Sequence, residues 1–411
     1  MNACFKSADI LLPRKDICMN TWSVVACDQY TSEEEYWKEV ENLVKDQPST
    51  LNIIYPEVYL GKDDSRIQRI QKEMLSYVDN DILEKRIKDG FVLVERTLDV
   101  GTRLGLVGVI DLEAYDFTPG TSAPIRATEG TIQSRIPPRL RIREGALLEC
   151  PHVMVLVDDP KHQLIEPLFE NKNQFECLYD TPLMMNGGHL KGYAITDEFA
   201  RAVDSKLSLM EKESNGFFLA VGDGNHSLAT AKACWQQTKE KLTDEEKENH
   251  PARFAMVELV NLHSPALIFE PIHRVLFNID FHDLLNSFQE QLKKDNIDYA
   301  TGDDIVFIDS ENEIHLKLLN EDGRLPVDIL QKFLDQYLQT HQNSDIDYVH
   351  GQDAVEKLSK QNSNCGILLG AIDKNTLFPA IAAGGVLPRK TFSMGEAYEK
   401  RYYVECRQIM K

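Results

Sequence analysis

The chain has 411 residues, and 45 Lys and Arg against 66 Asp and Glu leave a formal net charge of −21 and a pI near 5.0. A balance this acidic repels a phosphate backbone, whose binding requires a basic stripe that releases counterions, so a dedicated nucleic-acid binder is not expected. No apolar run approaches the ~18 residues of a membrane span, and eight scattered cysteines without a C-x-x-C pair argue against a disulfide framework or a zinc ribbon. With Lys6 and Asp9 interrupting the first apolar residues, no signal peptide is expected either. The reading is a cytoplasmic protein acting on a small molecule, with no membrane partner and with homo-oligomerisation left open.

Along the chain, Thr31 or Ser32 followed by Tyr36, Val40, Leu43 and Val44 predicts a helix over 31–46. Ile67, Ile70, Met74, Val78, Ile82 and Ile87 predict another over 65–87. From Gly90 the period shortens, and 91–97 with 103–111 read as a hairpin with a long loop. Residues 116–138 are rich in Pro, Gly, Ser and Thr, a loop of a length that tends to be functional. Then follow a strand over 153–157, a polar stretch through Asn186-Gly-Gly-His189, and a helix over 197–212. A strand over 217–221, the turn Gly222-Asp-Gly-Asn225 and a helix over 226–242 come next, then strands over 254–260 and 267–277. Beyond Asp280, helices at 281–294, 327–341 and 353–361 alternate with strands at 305–308, 314–318 and 366–372. The expected fold class is mixed α/β (α+β), in three regions: a mainly helical 1–99, a core at 100–275 and an α/β C-terminal domain at 276–411.

The strongest chemical signal is the buried strand, glycine-bracketed turn and helix start at 217–231. Such a junction aims backbone N–H groups and the positive end of a helix dipole at one spot, which suits a phosphate or carboxylate. Gly222 and Gly224 allow close backbone approach, while Asp223, Asn225, His226 and Ser227 add polar side chains, Asp223 among them as a Mg²⁺ ligand. The ordinary alternative is a capped turn that satisfies only its own backbone. A P-loop is absent, and a two-metal phosphatase lacks the upstream D-x-H that would lead its motifs.

Between 125 and 145 stand Arg126, Arg135, Arg139, Arg141 and Arg143 against only Glu129 and Glu144. Arginine forks hold phosphate or carboxylate bidentately, though each of these arginines is equally readable as a surface partner of the many acids. Glu129, between Thr128 and Thr131, is a candidate general base. Two further groups sit in cleft-like contexts: His273 and Arg274 at the end of an apolar strand, and Lys390 in a Gly/Pro-bounded loop.

The motifs Trp22-Ser-Val-Val-Ala-Cys-Asp-Gln-Tyr30, Tyr36-Trp37, Pro48-Ser-Thr50, Glu129-Gly-Thr131, Gly222-Asp-Gly-Asn-His226, Pro271-Ile-His-Arg274 and Leu387-Pro-Arg-Lys390 resemble, in order and nearly end to end, the prokaryotic domain-of-unknown-function family 1015. Its core motifs in turn resemble the ParB/sulfiredoxin-like fold, a group that includes free-serine kinases, and in which a Glu-bearing loop and an Asp-Gly-His-His-Arg turn bind nucleotide phosphates. The resemblance implies a ParB/sulfiredoxin-like core at 100–275. It matches Glu129 to the loop carboxylate, Asp223 and Gly224 to the turn, and His226 to its second histidine. Asn225 replaces the first histidine, Ser227 the arginine, and Thr128 a histidine before the glutamate. The lost arginine removes a phosphate fork, which Arg135, Arg139, Arg143 or Arg274 would have to replace.

The function implied is a nucleotide-dependent phosphotransferase acting on a small hydroxyl metabolite, serine-kinase-like, with ATP or ADP and Mg²⁺. Catalysis would rest on Glu129, Asp223 and His226. Gly222, Gly224, Asn225, Ser227, Arg126, Thr128, Thr131, Arg135, Arg139, Arg143, His273, Arg274 and Lys390 would hold the ligand. The competing class is a non-catalytic nucleotide or anion sensor, favoured by Asn225 and Ser227.

Overall fold

A computed structural model describes residues 3–320, 323–361 and 363–410. The chain forms two compact units, one of Met1–Leu267 joined by Gly395–Lys411 and the other of Ile268–Met394. The architecture is mixed α/β, as expected.

The first unit is organised by the hairpin Leu83–Leu98 and Gly101–Asp111. Its register runs from Val92 opposite Val107 to Leu98 opposite Gly101, so the expected long loop is a two-residue turn. Phe91 and Leu93 pack into one buried cluster while Val92 and Val94 pack into another. Burial on both faces accounts for the unbroken apolar run, where a half-exposed strand would alternate. The preceding helix, expected to reach 87, stops at Asp79. Asn80 there turns its amide back onto the Ser76 carbonyl at 2.9 Å, and Asp81 takes a φ of 52°.

The hairpin lies within an 11-stranded sheet. On one side it continues through Phe254–Asn261, Met154–Val157, Leu219–Asp223 and Ile125–Ala127 to Tyr115–Asp116; on the other it continues through His189–Ile195 to Cys177–Pro182. These last two strands form an antiparallel pair where the sequence reads only as a polar stretch through Asn186-Gly-Gly-His189. Cys177, Asp180 and Pro182 are exposed along its outer strand, which is why the segment reads as polar.

The second unit holds a five-stranded sheet in the order Glu313–Leu319, Asp298–Ile308, Asn364–Leu369, His273–Phe277, Asp345–Val349, antiparallel throughout. The strand expected over 267–277 is divided at Ile272. Phe269–Pro271 pairs with Phe392–Met394, and His273–Phe277 joins the larger sheet. Helix Phe281–Lys294 packs Phe288 against Phe307 and against Phe333 of Pro326–Thr340.

The partition differs from the expected three regions in two places. The boundary near 99 falls inside the turn of the central hairpin, and Gly395–Lys411 leaves the C-terminal region to rejoin the first unit. Buried charge fixes that return. Arg401 pairs with Glu258 and, at 2.5 Å, with Glu405, which also accepts from Tyr179 Oη at 2.5 Å. Arg103 donates to the Glu399 carbonyl at 3.3 Å, and Arg96 to the carbonyls of Gly187 and Tyr398 at 2.5 and 3.1 Å. Among the described residues no helix is long and apolar enough to cross a membrane.

Candidate functional site

Ile125–Ala127 runs parallel to Leu219–Asp223, with Leu219 opposite Ile125 and Val221 opposite Ala127. Parallel neighbours end at the same sheet edge, where ligands bind in many open α/β sheets. The loop that begins at Thr128 and the turn at Gly222 therefore leave the sheet side by side. Thr128 Oγ1 donates to the Val221 carbonyl at 2.6 Å, and Asn225 Nδ2 reaches Thr128 Oγ1 at 3.3 Å and the same carbonyl at 3.4 Å. The Ile132 backbone N–H donates to His226 Nε2 at 3.2 Å. The loop of half-buried Glu129 and the turn of His226 are thus brought together.

Each turn residue has a local reason for its place. The pairing of Leu219–Asp223 with Met154–Val157 slips between Val221 and Asp223, leaving Gly222 as the extra residue of a bulge. Gly224 takes the left-handed conformation, φ 79°, immediately before helix Asn225–Lys239. A Cβ there would stand 3.0 Å from Val153 Cγ2 and 3.1 Å from its Cα. The absent side chain thus admits Val153 and the left-handed turn, where the sequence suggested ligand approach.

The helix opens without a side-chain cap, and Leu228 N–H bonds the Gly224 carbonyl at 3.0 Å. The amides ahead of it lie in the first turn, where a helix supplies no backbone acceptors. Two buried polar atoms of these segments, Asn225 Oδ1 and Thr131 Oγ1, have no hydrogen-bond partner among the described residues. Unsatisfied groups of this kind call for a water or ligand: Asn225 Oδ1 accepts and so suits a donor such as a hydroxyl, whereas Thr131 Oγ1 can donate or accept.

Asp223 Oδ1 accepts from the Gly224 N–H at 3.0 Å, and Oδ2 lies 3.2 Å from Lys400 Nζ. Lys400 is the cation that the sequence reading missed. Its signal was the charged run Glu399-Lys-Arg401 set between Tyr398 and Tyr402-Tyr403, where a surface segment would carry fewer aromatics. Behind the turn, Val153 adjoins His152, whose Nδ1 is 2.8 Å from Tyr403 Oη and whose Nε2 is 3.7 Å from Asp28 Oδ2. The Cys27 N–H donates to Tyr403 Oη at 3.1 Å, which ties the Trp22–Tyr30 motif to this wall.

The arginines have other partners. Residues 136–143 form a helix, Ile136–Arg143, where a loop was expected. Arg139 forks onto Glu57 at 2.7 and 2.5 Å, Arg143 meets Glu149 at 2.5 Å, and Arg141 meets Asp64 at 2.8 Å. As replacement phosphate forks, Arg139 and Arg143 are therefore corrected to ion-pair partners. Arg126 packs its guanidinium over Phe217 at 4.4 Å and donates to the Ala123 carbonyl. Arg135 is exposed, and no acid among the described residues pairs with it.

His273, Arg274 and Lys390 belong to the second unit. Arg274 is buried there and donates to the Ile272 carbonyl and to Gln331 Oε1 at 3.2 Å; His273 Nδ1 accepts from the Leu369 N–H at 3.1 Å. Their ligand role is replaced by these internal bonds. Lys390 is exposed with a φ of 57°.

Mg²⁺ finds no protein cage: among the described residues no three His, Cys, Asp or Glu side chains cluster as ligands. Both Asp223 oxygens also already meet donors.

The family described as protein of unknown function, DUF1015, matches residues 11–338. The chain belongs to that family. No curated protein matches it. Among solved structures, a free serine kinase in complex with AMP aligns at 12% identity and a TM-score of 0.38, over 72% of this chain and 90% of that one. SbnI with a C-terminal truncation, from Staphylococcus aureus, aligns at 9% identity and a TM-score of 0.36, over 70% of this chain and 83% of that one. A conserved hypothetical protein from Pyrococcus furiosus aligns at 10% identity and a TM-score of 0.36, over 74% of this chain and 94% of that one. Likeness at this level carries no inference about chemistry.

Proposed function

We propose that this protein is a phosphotransferase that moves a phosphoryl group from a nucleotide, ATP or ADP, to a small hydroxyl metabolite such as serine. The observation that carries this reading is the side-by-side exit of the Glu129 loop and the Asp223–Ser227 turn from two parallel strands, latched by Ile132 N–H on His226 Nε2. Phosphoryl transfer depends mainly on positioning and on stabilising charge. Glu129 accepts the proton of the attacking hydroxyl. First-turn amides and Lys400 stabilise negative charge on the transferred group, and Thr131 Oγ1 and Asn225 Oδ1 orient the ligand. A bound nucleotide supplies the phosphoryl group, and its phosphate retains the electrons of the broken bond. Assays with free serine and related hydroxyl compounds, using ATP and ADP as donors, should yield phosphorylated product with the parent protein and little with Glu129→Gln. Equal turnover in both would sink the reading.

One observation favours a second reading, a non-catalytic anion sensor. Asn225 Nδ2 and His226 Nε2 hold protein groups, and Arg139 and Arg143 are tied to glutamates, leaving the cradle poorer in cations than phosphoryl transfer favours. A ligand that raises thermal stability, by about 2.7 kcal/mol at 100 times its Kd, without being consumed would select this reading over the first.

A further inference from the structure

Two thiols face one another where the C-terminal segment pairs with the chain ahead of Met154–Val157. Arg407 lies opposite Glu149 and Gln408 opposite Leu148, antiparallel, so the same register continued by one residue sets Cys406 opposite Cys150. Cys406 commits both backbone groups to Leu11 on its other side, its N–H at 2.9 Å and its carbonyl at 2.8 Å. Towards Cys150 it therefore occupies a non-hydrogen-bonded position, where antiparallel Cα atoms approach to about 4.5 Å and side chains are closest. That spacing falls within the roughly 4.4–6.8 Å over which a disulfide closes without backbone movement. The two sulfurs stand 3.1 Å apart, and both cysteines are free. Cys406 is fully buried, whereas Cys150 is partly exposed.

We propose that Cys150 and Cys406 form a redox modification site, a dithiol that a low-molecular-weight disulfide of the glutathione class converts to an internal disulfide. The order of events follows from access. The Cys150 thiolate attacks one sulfur of the small disulfide, forming a mixed disulfide and expelling one small thiolate. Cys406 then gives up its proton, its sulfur attacks Cys150 Sγ, and the second small thiol leaves. Two protein thiols are oxidised and one small disulfide is reduced to two thiols. Burial pushes the Cys406 thiol well above its ordinary range, which keeps it out of the first step; in the second its target sulfur is held 3.1 Å away, and that proximity offsets the small thiolate fraction. The product ties down the segment that carries Lys400 and Arg401, so the modification bears on the Asp223 turn whatever reaction occurs there.

The test uses the full-length folded protein incubated with oxidised glutathione, then unfolded and alkylated, digested without reduction and mapped by mass spectrometry. The expected result is a linked Cys150–Cys406 peptide, lighter by two hydrogen atoms than the sum of its two thiol peptides, and a Tm raised by several degrees that falls back with dithiothreitol. Cys150→Ser should abolish the linked peptide and the Tm rise while unfolding like the parent under reducing conditions. A stable glutathione adduct on Cys150 with Cys406 still alkylated after unfolding, or both cysteines alkylated, overturns the proposal. The parent mapping decides it even if the variant folds poorly.

Discussion

Ile132 donates its backbone N–H to Nε2 of His226 at 3.2 Å, across a sequence separation of 94 residues. An accepting ring nitrogen carries no proton, so this bond requires the neutral imidazole. His226 accordingly acts as a latch on the loop that follows Glu129, and protonating it releases the latch.

Replacing His226 with Leu should free that loop. A hydrogen bond of net worth about 0.5–1.5 kcal/mol predicts that exchange of the Ile132 amide quickens by roughly 2- to 13-fold, with a stability loss of about 1 kcal/mol. Unchanged exchange at Ile132 by hydrogen–deuterium measurements would show that the latch does not operate in solution.

Gly224→Ala should cost about 2–5 kcal/mol in urea unfolding, combining left-handed strain of about 1–2 kcal/mol with overpacking against Val153 of about 1–3 kcal/mol. Gly130→Ala is the control, because a Cβ there meets nothing within 4 Å, and it should stay within about 0.5 kcal/mol. Equal costs for the two variants would contradict the assignment of Gly224 to packing and turn geometry.

Arg401→Met removes the cation hydrogen-bonded to two buried carboxylates, Glu258 and Glu405, a change expected to destabilise by about 3–5 kcal/mol. The double variant Arg401→Met with Glu258→Leu should recover part of that loss. Arg141→Ala, whose pair with Asp64 is open to solvent on both sides, should change stability by less than about 0.5 kcal/mol.

Acid should act through the same carboxylates. Burial alone would raise Glu149 and Glu258, but Arg407 and Arg143 beside the first, and Arg401 and Arg103 beside the second, hold both below the usual carboxylate range. A depressed folded value means that the stabilisation is present above the unfolded value of about 4.3 and is lost as pH falls through the folded one. Tm should therefore hold level from about pH 6 to 5 and drop below about pH 4. A Tm that rose on acidification through that window would contradict the sign.

Lys400→Met should weaken binding of inorganic phosphate or nucleotide by roughly 10- to 100-fold, the range for loss of one charged hydrogen bond. Isothermal titration against the parent checks this. Undiminished affinity in a folded variant would remove Lys400 from the cradle.

Apolar period told the truth wherever burial was simple. The helix read over 281–294 is Phe281–Lys294, and the strand, turn and helix around Asp223 lie within two or three residues of their expected places. Errors arose where one residue type serves two geometries. Ile82 follows Val78 at helical spacing and Ile87 lies on the strand that begins at Leu83, four positions after it, a separation that fits helix and strand alike, which carried the second helix past Asp79. Pro137-Pro138 read as a loop, yet proline is tolerated in the first turn of a helix, where it stands in Ile136–Arg143. The candidate site was half legible. Its two loops were visible as motifs, whereas Lys400 and the buried set of Arg96, Arg103, Glu258, Arg401 and Glu405 were not, since a charged residue reads as surface until its partner is known. The Glu258 partner lies 143 positions away.

The excursion of Ile268–Met394 between two parts of one unit has a consequence for vectorial synthesis. While the ribosome is still making that excursion, the strand Phe254–Asn261 already carries Glu258, and its guanidinium partner at 401 does not yet exist. A nascent first unit that closed early would bury Glu258 without its hydrogen-bonded guanidinium, leaving only the nearby charges of Arg103 and Arg96, so closure of its sheet is less favourable until residues 395–411 arrive. The inserted unit contains its own sheet and is under no such constraint. Synthesis order and folding order are thereby inverted: the later-made unit is the one free to fold first, and the earlier-made one waits for the tail that seals it.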